Sequence, residues 1–173
     1  MVSKRDSGRT LEPSCLSASI GRVLRRFQQF ANSPTVAEES LQLFRLIVFN
    51  CAIRNGDAHL KNFGVVYDDV QGAAHLAPAY DLVTTTAYMP KDRMALTLNG
   101  STEWPIGKDL IRFAEGRSLA SARQLRAILE QTCDALSETA TQVETSIKSF
   151  PDFQHVGSRT LSEWHEGIAE LRR

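Results

Sequence analysis

The chain has 173 residues, 42% hydrophobic and 23% charged, and its 20 basic and 20 acidic side chains cancel. A length of this order makes one domain with room for a substantial core, and zero net charge argues against nucleic acid as a direct partner. No apolar run reaches the roughly twenty residues of a membrane span, the polar start lacks the apolar core of a signal peptide, and three widely spaced cysteines without a Cys-x-x-Cys pair fit reduced thiols in the cytoplasm.

Residues 1–15 read as a flexible tail, rich in Ser, Arg and Lys, in which Pro13 breaks any helix. Ile20, Val23, Leu24, Phe27 and Phe30 recur at helical spacing and predict a helix over residues 17–32, with Arg22, Arg25 and Arg26 on its solvated face. Ser33-Pro34 interrupts it. Thr35 and Glu38 stand three apart and predict a capping box. The helix they open runs to about residue 54, with Val36, Leu41, Phe44, Ile47, Val48 and Cys51 on its buried side. Residues 63–67 and 73–77 read as short strands joined by a turn over 68–72, where Asp68 and Asp69 are solvated. Residues 82–93 form a polar loop holding Pro90 and the run Thr84, Thr85, Thr86, read as a threonine-rich turn rather than as modification sites. Asn99-Gly100, followed by Trp104-Pro105, is a further turn to which no chemical task attaches. From Gly107 the pattern is helical: Leu110, Ile111, Phe113 and Ala114 up to Gly116, then Leu125, Ile128, Leu129 and Ala135. Val143 and Ile147 carry the stripe on to Phe150-Pro151, and residues 161–171 close the chain with Trp164 and Ile168. The fold class predicted is mainly α with a small β-hairpin.

The chemistry lies between the second helix and the hairpin, where residues 55–62 read Asn-Gly-Asp-Ala-His-Leu-Lys-Asn, and just past the hairpin, at Tyr80-Asp81. Asn-Gly-Asp alone is a common turn signal. With Asn62 five residues after Asp57 and Asp81 beyond a hairpin, the set has the chemistry and order of a phosphoryl-transfer site. Asp57 can orient a hydroxyl and take its proton. The amide oxygen of Asn62 and the carboxylate of Asp81 are hard ligands suited to magnesium on the phosphates of ATP. Lys61 can neutralise the transferring phosphate. His59 and Asn55 are expected to be structural neighbours of the site; no second histidine or cysteine stands at ligand spacing from His59. His165-Glu166 lacks the second histidine of a zinc hydrolase helix.

On these residues the chain resembles the HipA-like kinases, the toxin halves of bacterial toxin–antitoxin pairs. The stretches that carry the likeness are 43–50 (Leu-Phe-Arg-Leu-Ile-Val-Phe-Asn), 55–63, 76–82 (Leu-Ala-Pro-Ala-Tyr-Asp-Leu) and 94–100 (Met-Ala-Leu-Thr-Leu-Asn-Gly). The Asp-x-His-x-Lys-Asn core followed by Pro-x-Tyr-Asp is the most specific part. Asp-Leu-Val stands where many kinases have Asp-Phe-Gly, a variation that matches this family. The resemblance implies a serine/threonine kinase fold whose mostly helical C-terminal lobe occupies residues 16–173, dependent on ATP and magnesium. It also implies a protein substrate and a small helix-turn-helix antitoxin as partner.

A kinase also needs a small lobe with a loop over the phosphates and a strand lysine. Upstream of Asn55 there is no glycine-rich run, and Lys4 is the only lysine before Lys61. The chain therefore reads as the large lobe alone, from a truncated, split or remnant gene, and as inactive by itself. Its partner would be the antitoxin or a separate small-lobe subunit. The alternative is a non-catalytic remnant or binding module. Either way an uncovered apolar face is expected to favour a homo-oligomer.

Overall fold

The computed structural model describes residues 18–31, 35–69 and 72–173, so the expected tail over residues 1–15, Cys15 included, lies outside the described residues. The first helix, α1 (Ile20–Phe30), starts where Ser19 holds extended backbone and its hydroxyl accepts the Arg22 N–H at 3.2 Å. Its apolar positions Ile20, Val23, Leu24 and Phe27 are buried, as the three-and-four spacing requires. The second, α2 (Val36–Ala52), adds Leu43, Phe44, Ile47 and Val48 to the same core. Burying Phe44 and Val48 completely stabilises the fold by about 1.5–3 kcal/mol each.

The predicted capping box at Thr35 and Glu38 is not formed. Thr35 makes no side-chain cap to the helix backbone; its hydroxyl donates instead to Glu39 Oε1 at 2.5 Å. Glu39 is nearly buried, and a buried carboxylate draws every donor within reach.

The hairpin forms where expected but is shorter. Strand β1 (Val65–Val66) pairs antiparallel with β2 (His75–Leu76), Val65 opposite Leu76 and Val66 opposite His75. Two residues a side cannot stand alone, and the pair rests on α2. Beyond the hairpin, residues 94–98 bury Met94, Leu96 and Leu98 and meet the start of α1, where the Ile20 N–H donates to Thr97 O. The chain then reverses at Asn99-Gly100, both at positive φ (50° and 87°) as a type I′ turn demands.

Three helices finish the scaffold: α3 (Gly107–Glu115), α4 (Ala122–Ser149) and α5 (Gln154–Leu171). A capping box does form at Ser121 and Gln124. From it α4 runs unbroken for 28 residues until Phe150, held extended by the following Pro151. Against expectation α5 begins at Gln154, a turn and more before residue 161. It crosses the end of α2 at Gly167, where a Cβ would stand 2.0 Å from the Ala52 carbonyl oxygen, so only glycine admits the contact. Cys51 and Cys133 are buried and free. Burial pushes the Cys51 thiol up to about 12, against a small opposing pull from Arg54. Among the described residues no helix is long and apolar enough to cross a membrane.

Candidate active site

The loop that carries the chemistry leaves α2 through a strained corner. Arg54 follows the helix in the left-handed region at φ 59°, where a residue with a Cβ sits at a cost of about 1–2 kcal/mol. Its side chain is held on three sides: 3.0 Å from Glu170, 4.0 Å from Glu166, and over the Trp104 ring at 5.1 Å. The guanidinium is buried and its charge is answered by α5. One hydroxyl closes the corner: Thr85 Oγ1 donates to Arg54 O at 3.2 Å and accepts the Gly56 N–H at 2.7 Å. Gly56 has no room for a side chain, since a Cβ would stand 2.2 Å from Asp92 Oδ2 and 2.7 Å from Arg93 O.

Thr85 belongs to a 3-10 turn, Thr85–Ala87, inside the polar loop after Asp81. All of Thr84, Thr85 and Thr86 are buried. Trp164 Nε1 donates to the Thr84 hydroxyl at 2.7 Å, and Arg159 to Thr86 O at 3.3 Å. The threonine run is therefore structural, and it fastens the segment after Asp81 both to α5 and to the loop.

Of the residues singled out by sequence, Asn62 and Asp81 are brought together. Asn62 Nδ2 donates to Asp81 Oδ2 at 2.5 Å, across the base of the hairpin. The Asn62 amide oxygen accepts the backbone N–H of His59 at 3.1 Å. The amide thus turns its nitrogen, not its oxygen, toward Asp81, and would have to turn over to share a cation with that carboxylate. Asp81 is itself in the left-handed region at φ 56°. Tyr80, quoted in the motif without a task, donates its hydroxyl to Lys61 O and so ties the two halves of the site.

Asp57 is exposed, 62% for its side chain, and its Oδ1 lies 3.8 Å from His59 Nε2. A bracing role for the His59 side chain does not hold, since its Nδ1 is buried without a hydrogen-bond partner; it is the His59 backbone that both donates to Asn62 Oδ1 and accepts the Asn62 N–H at 3.0 Å. Lys61 is exposed beside Asn62. Asn55, buried, links the two ends: its Oδ1 accepts the Asp57 N–H at 3.2 Å, and its Nδ2 donates to Asp81 O at 3.0 Å and to Asn50 Oδ1 at 2.7 Å. Sequence reasoning gave no task to Asn50, Arg54, Thr85 or Trp104. The available signal was the polar Asn50 beside Ile47, Val48 and Cys51 in the apolar C-terminal half of α2.

The hairpin that spaces Asn62 from Asp81 is anchored by Glu39 of α2. Its carboxylate accepts Leu76 N–H at 2.7 Å on Oε2, and on Oε1 meets His75 Nδ1 at 2.8 Å beside the Thr35 hydroxyl. Burial alone would raise the Glu39 pKa, but the Thr35, His75 and Leu76 donors outweigh it and hold the carboxyl below its ordinary value.

The donor chemistry of the Asn62–Asp81 pair, an amide and a carboxylate in contact, fits a hard cation such as magnesium. Among the described residues no group of three or more His, Cys, Asp or Glu side chains could hold a metal by itself. These two side chains alone would not complete the shell of such a cation.

The profile of the HipA-like C-terminal domain matches residues 8–140. Two proteins of Sinorhizobium fredii (strain NBRC 101917 / NGR234), each named as a candidate kinase, are similar to parts of the chain. Y4mE is 48% identical over 52 residues, 30% of this chain and 12% of its own length. Y4dM is 38% identical over 81 residues, 46% and 18% respectively. Among solved structures, HipA of the Shewanella oneidensis MR-1 toxin–antitoxin system, in complex with HipB and operator DNA, matches with a TM-score of 0.63 at 17% identity. That match covers 96% of this chain and 40% of the HipA chain. The fold is therefore the kinase-like fold of HipA in its mostly helical part, and the chain spans well under half of the protein it matches.

Proposed function

The chain belongs to the HipA-like C-terminal domain family, and on that premise we propose that it is the large lobe of a serine/threonine protein kinase of toxin type. Joined by a small lobe, it would transfer the terminal phosphoryl group of Mg-ATP to a protein hydroxyl. The observation that carries this reading is the 2.5 Å contact between Asn62 and Asp81, beside the loop that presents Asp57.

In the proposed reaction Asp57 accepts a hydrogen bond from the substrate hydroxyl and takes its proton as the new oxygen–phosphorus bond forms. The bond between the terminal phosphorus and its bridging oxygen breaks, and ADP leaves with that electron pair. Lys61, exposed on the same loop, offers its ammonium to the transferring oxygens. Asn62 and Asp81 would hold magnesium, which when bound supplies charge neutralisation at the phosphates. Such catalysis is mostly positioning and charge stabilisation, so a large lobe without the small lobe's phosphate clamp should bind Mg-ATP weakly and turn over slowly.

Two further observations bear on partners. Leu60, Val65, Val66 and Tyr67 stay exposed along the hairpin, an apolar face of the kind that a second lobe or another copy covers. The HipA relative is found with HipB, which supports an antitoxin as partner. A non-catalytic binding module is the second reading. It draws on the Asn62 amide oxygen, which is committed to His59.

The test is to mix the chain with a separately encoded HipA-type small lobe and follow transfer of labelled phosphate to protein. The wild-type mixture should exceed an Asp57→Asn mixture by about a hundredfold or more, the scale of a positioned general base. Equal incorporation would end the kinase reading and leave the binding module.

A further inference from the structure

We propose that Asn55 is the positioning residue that sets the catalytic carboxylates Asp57 and Asp81 relative to one another, with Asn50 fixing how its amide faces. The inference rests on the phosphoryl-transfer reading of the site and adds the device that holds its two halves in register.

Asn55 is 2% exposed and makes no hydrogen bond to the side chains of Asp57, Lys61, Asn62 or Asp81. Its bonds go to the backbone of both halves. On one side its Oδ1 accepts the N–H of Asp57; on the other its Nδ2 donates to the carbonyl of Asp81, 26 residues on. A backbone N–H can only donate and a carbonyl can only accept. The amide therefore satisfies both ends in one orientation alone, and a flip would break both.

Asn50 makes that orientation permanent. Its own Nδ2 donates to Leu46 O one turn back in α2, which leaves Oδ1 as the atom facing Asn55. The second proton of Asn55 Nδ2 goes there at 2.7 Å. The hydrogen-bonded chain Asn50–Asn55–Asp81, in which Asn55 donates to both neighbours, thus starts on a rigid helix and ends on a residue held at φ 56°. A non-glycine residue persists in that region when its surroundings fix it. The bond from Asn55 is the contact in the structure that grips the Asp81 carbonyl from the loop side. The Thr85 hydroxyl, by comparison, fastens Arg54 and Gly56 and touches neither carboxylate residue.

The expected consequence is a loss of cation affinity and loop order without loss of the fold. The experiment uses the full chain, uniformly labelled with nitrogen-15, and Mn2+ as the probe, reading paramagnetic broadening of the Asn62 and Asp81 amide signals. In the wild type the two signals should broaden along one titration curve. Asn55→Ala should shift that curve to about tenfold higher Mn2+, as for partners that orient metal ligands elsewhere. Without metal, the same variant should lose hydrogen-exchange protection at the Asp57 amide. Cys133→Ala, a buried change on α4, provides the control for lost stability and should alter neither reading.

Where Asn55→Ala does not fold, Asn55→Asp keeps the shape and the acceptor for Asp57 N–H but removes both donors. Its Asp57 amide should stay protected while Asp81 broadens later than Asn62. Curves within twofold of wild type together with unchanged Asp57 protection would overturn the proposal. A wild type in which neither Asn62 nor Asp81 broadens would instead sink the metal site itself. The Asp57 exchange reading would then still decide whether Asn55 orders the loop.

Discussion

Glu39→Gln would measure how firmly the hairpin is held to the helix that delivers the loop carrying Asp57 and Asn62. The Glu39 carboxylate accepts from Thr35 at 2.5 Å, from Leu76 N–H at 2.7 Å and meets His75 at 2.8 Å, with its side chain one-tenth exposed. Glutamine can serve one side with its amide oxygen, but its NH2 then points at a donor on the other. A hydrogen bond to a charged group contributes about 1.5–3 kcal/mol, so with the amide oxygen kept on the Thr35 and His75 side, losing the Leu76 bond and turning the NH2 onto that donor should cost about 2 kcal/mol. For a chain of this size each kcal/mol moves Tm by roughly 2–4 °C, which predicts a fall of about 4–8 °C near neutral pH. The effect carries a pH signature. Folded Glu39 titrates below its ordinary value, so the unfolded chain takes up the proton first as pH falls. The stability from this carboxylate is complete above the ordinary glutamate pKa and disappears as pH drops through the lower folded value. Wild type and Glu39→Gln should therefore converge in acid. Thermal melts followed by circular dichroism across that range check both points. Equal Tm near neutrality would refute the hydrogen-bond reasoning, and a gap that persists unchanged in acid would refute the role of charge.

Thr85→Val keeps the shape of a buried side chain but strands Arg54 O and Gly56 N–H, and should cost about 1–3 kcal/mol in urea unfolding; Thr85→Ser should recover most of it. Gly167→Ala drives a methyl to 2.0 Å from Ala52 O, so α5 must shift off α2 at a cost of about 1–3 kcal/mol; an unchanged urea midpoint would mean that the two helices do not meet there. In a Cys15→Ser background, Cys51 should not react with a thiol reagent at mildly alkaline pH until the chain unfolds, because burial holds its pKa at about 12. Rapid labelling of the folded chain at Cys51 would contradict that burial.

What sequence made legible follows from how each residue does its work. The hairpin, the helices and the order Asp57, Asn62, Asp81 were readable because periodicity and residue chemistry are local signals. The contact of Asn62 with Asp81, nineteen positions on, follows from the segment between them folding back as a hairpin. Local rules fail where tertiary partners outbid them. Ser121 and Gln124 cap α4 on an exposed start, where nothing competes for the hydroxyl. Thr35 carries the same signature and loses it: its backbone (φ −94°, ψ 8°) is not the extended conformation of a capping residue, and its hydroxyl turns to the nearly buried Glu39. The threonine run read correctly as structural, yet its partners Trp164 and Arg159 lie more than seventy residues away, beyond the reach of any spacing rule. Arg54 drew no task from the sequence, because its pairing with Glu170 and Trp104 exists only once α5 and the segment before α3 are in place.

The division between exposed chemistry and buried support bears on how the proposed site would take up its cation. Asp57, Lys61 and Asp81 face solvent, while Asn50, Asn55, Arg54 and Thr85 behind them are buried. Asn50, Asn55 and Thr85 are hydrogen-bonded within the protein and Arg54 pairs with Glu170, though its Nε is left without a hydrogen-bond partner. Asn62 stands at the boundary: buried, with its amide oxygen on His59 and its nitrogen on Asp81. Turning that amide toward a cation gives up a bond to a charged carboxylate worth about 1.5–3 kcal/mol. Two protein ligands that must first separate hold a lone ion weakly. Magnesium also keeps its waters unless phosphate oxygens replace them. The arrangement therefore favours a cation that arrives already bound to a nucleotide, which would make metal affinity at Asn62 and Asp81 rise when ATP is present and fall to a weak residue without it.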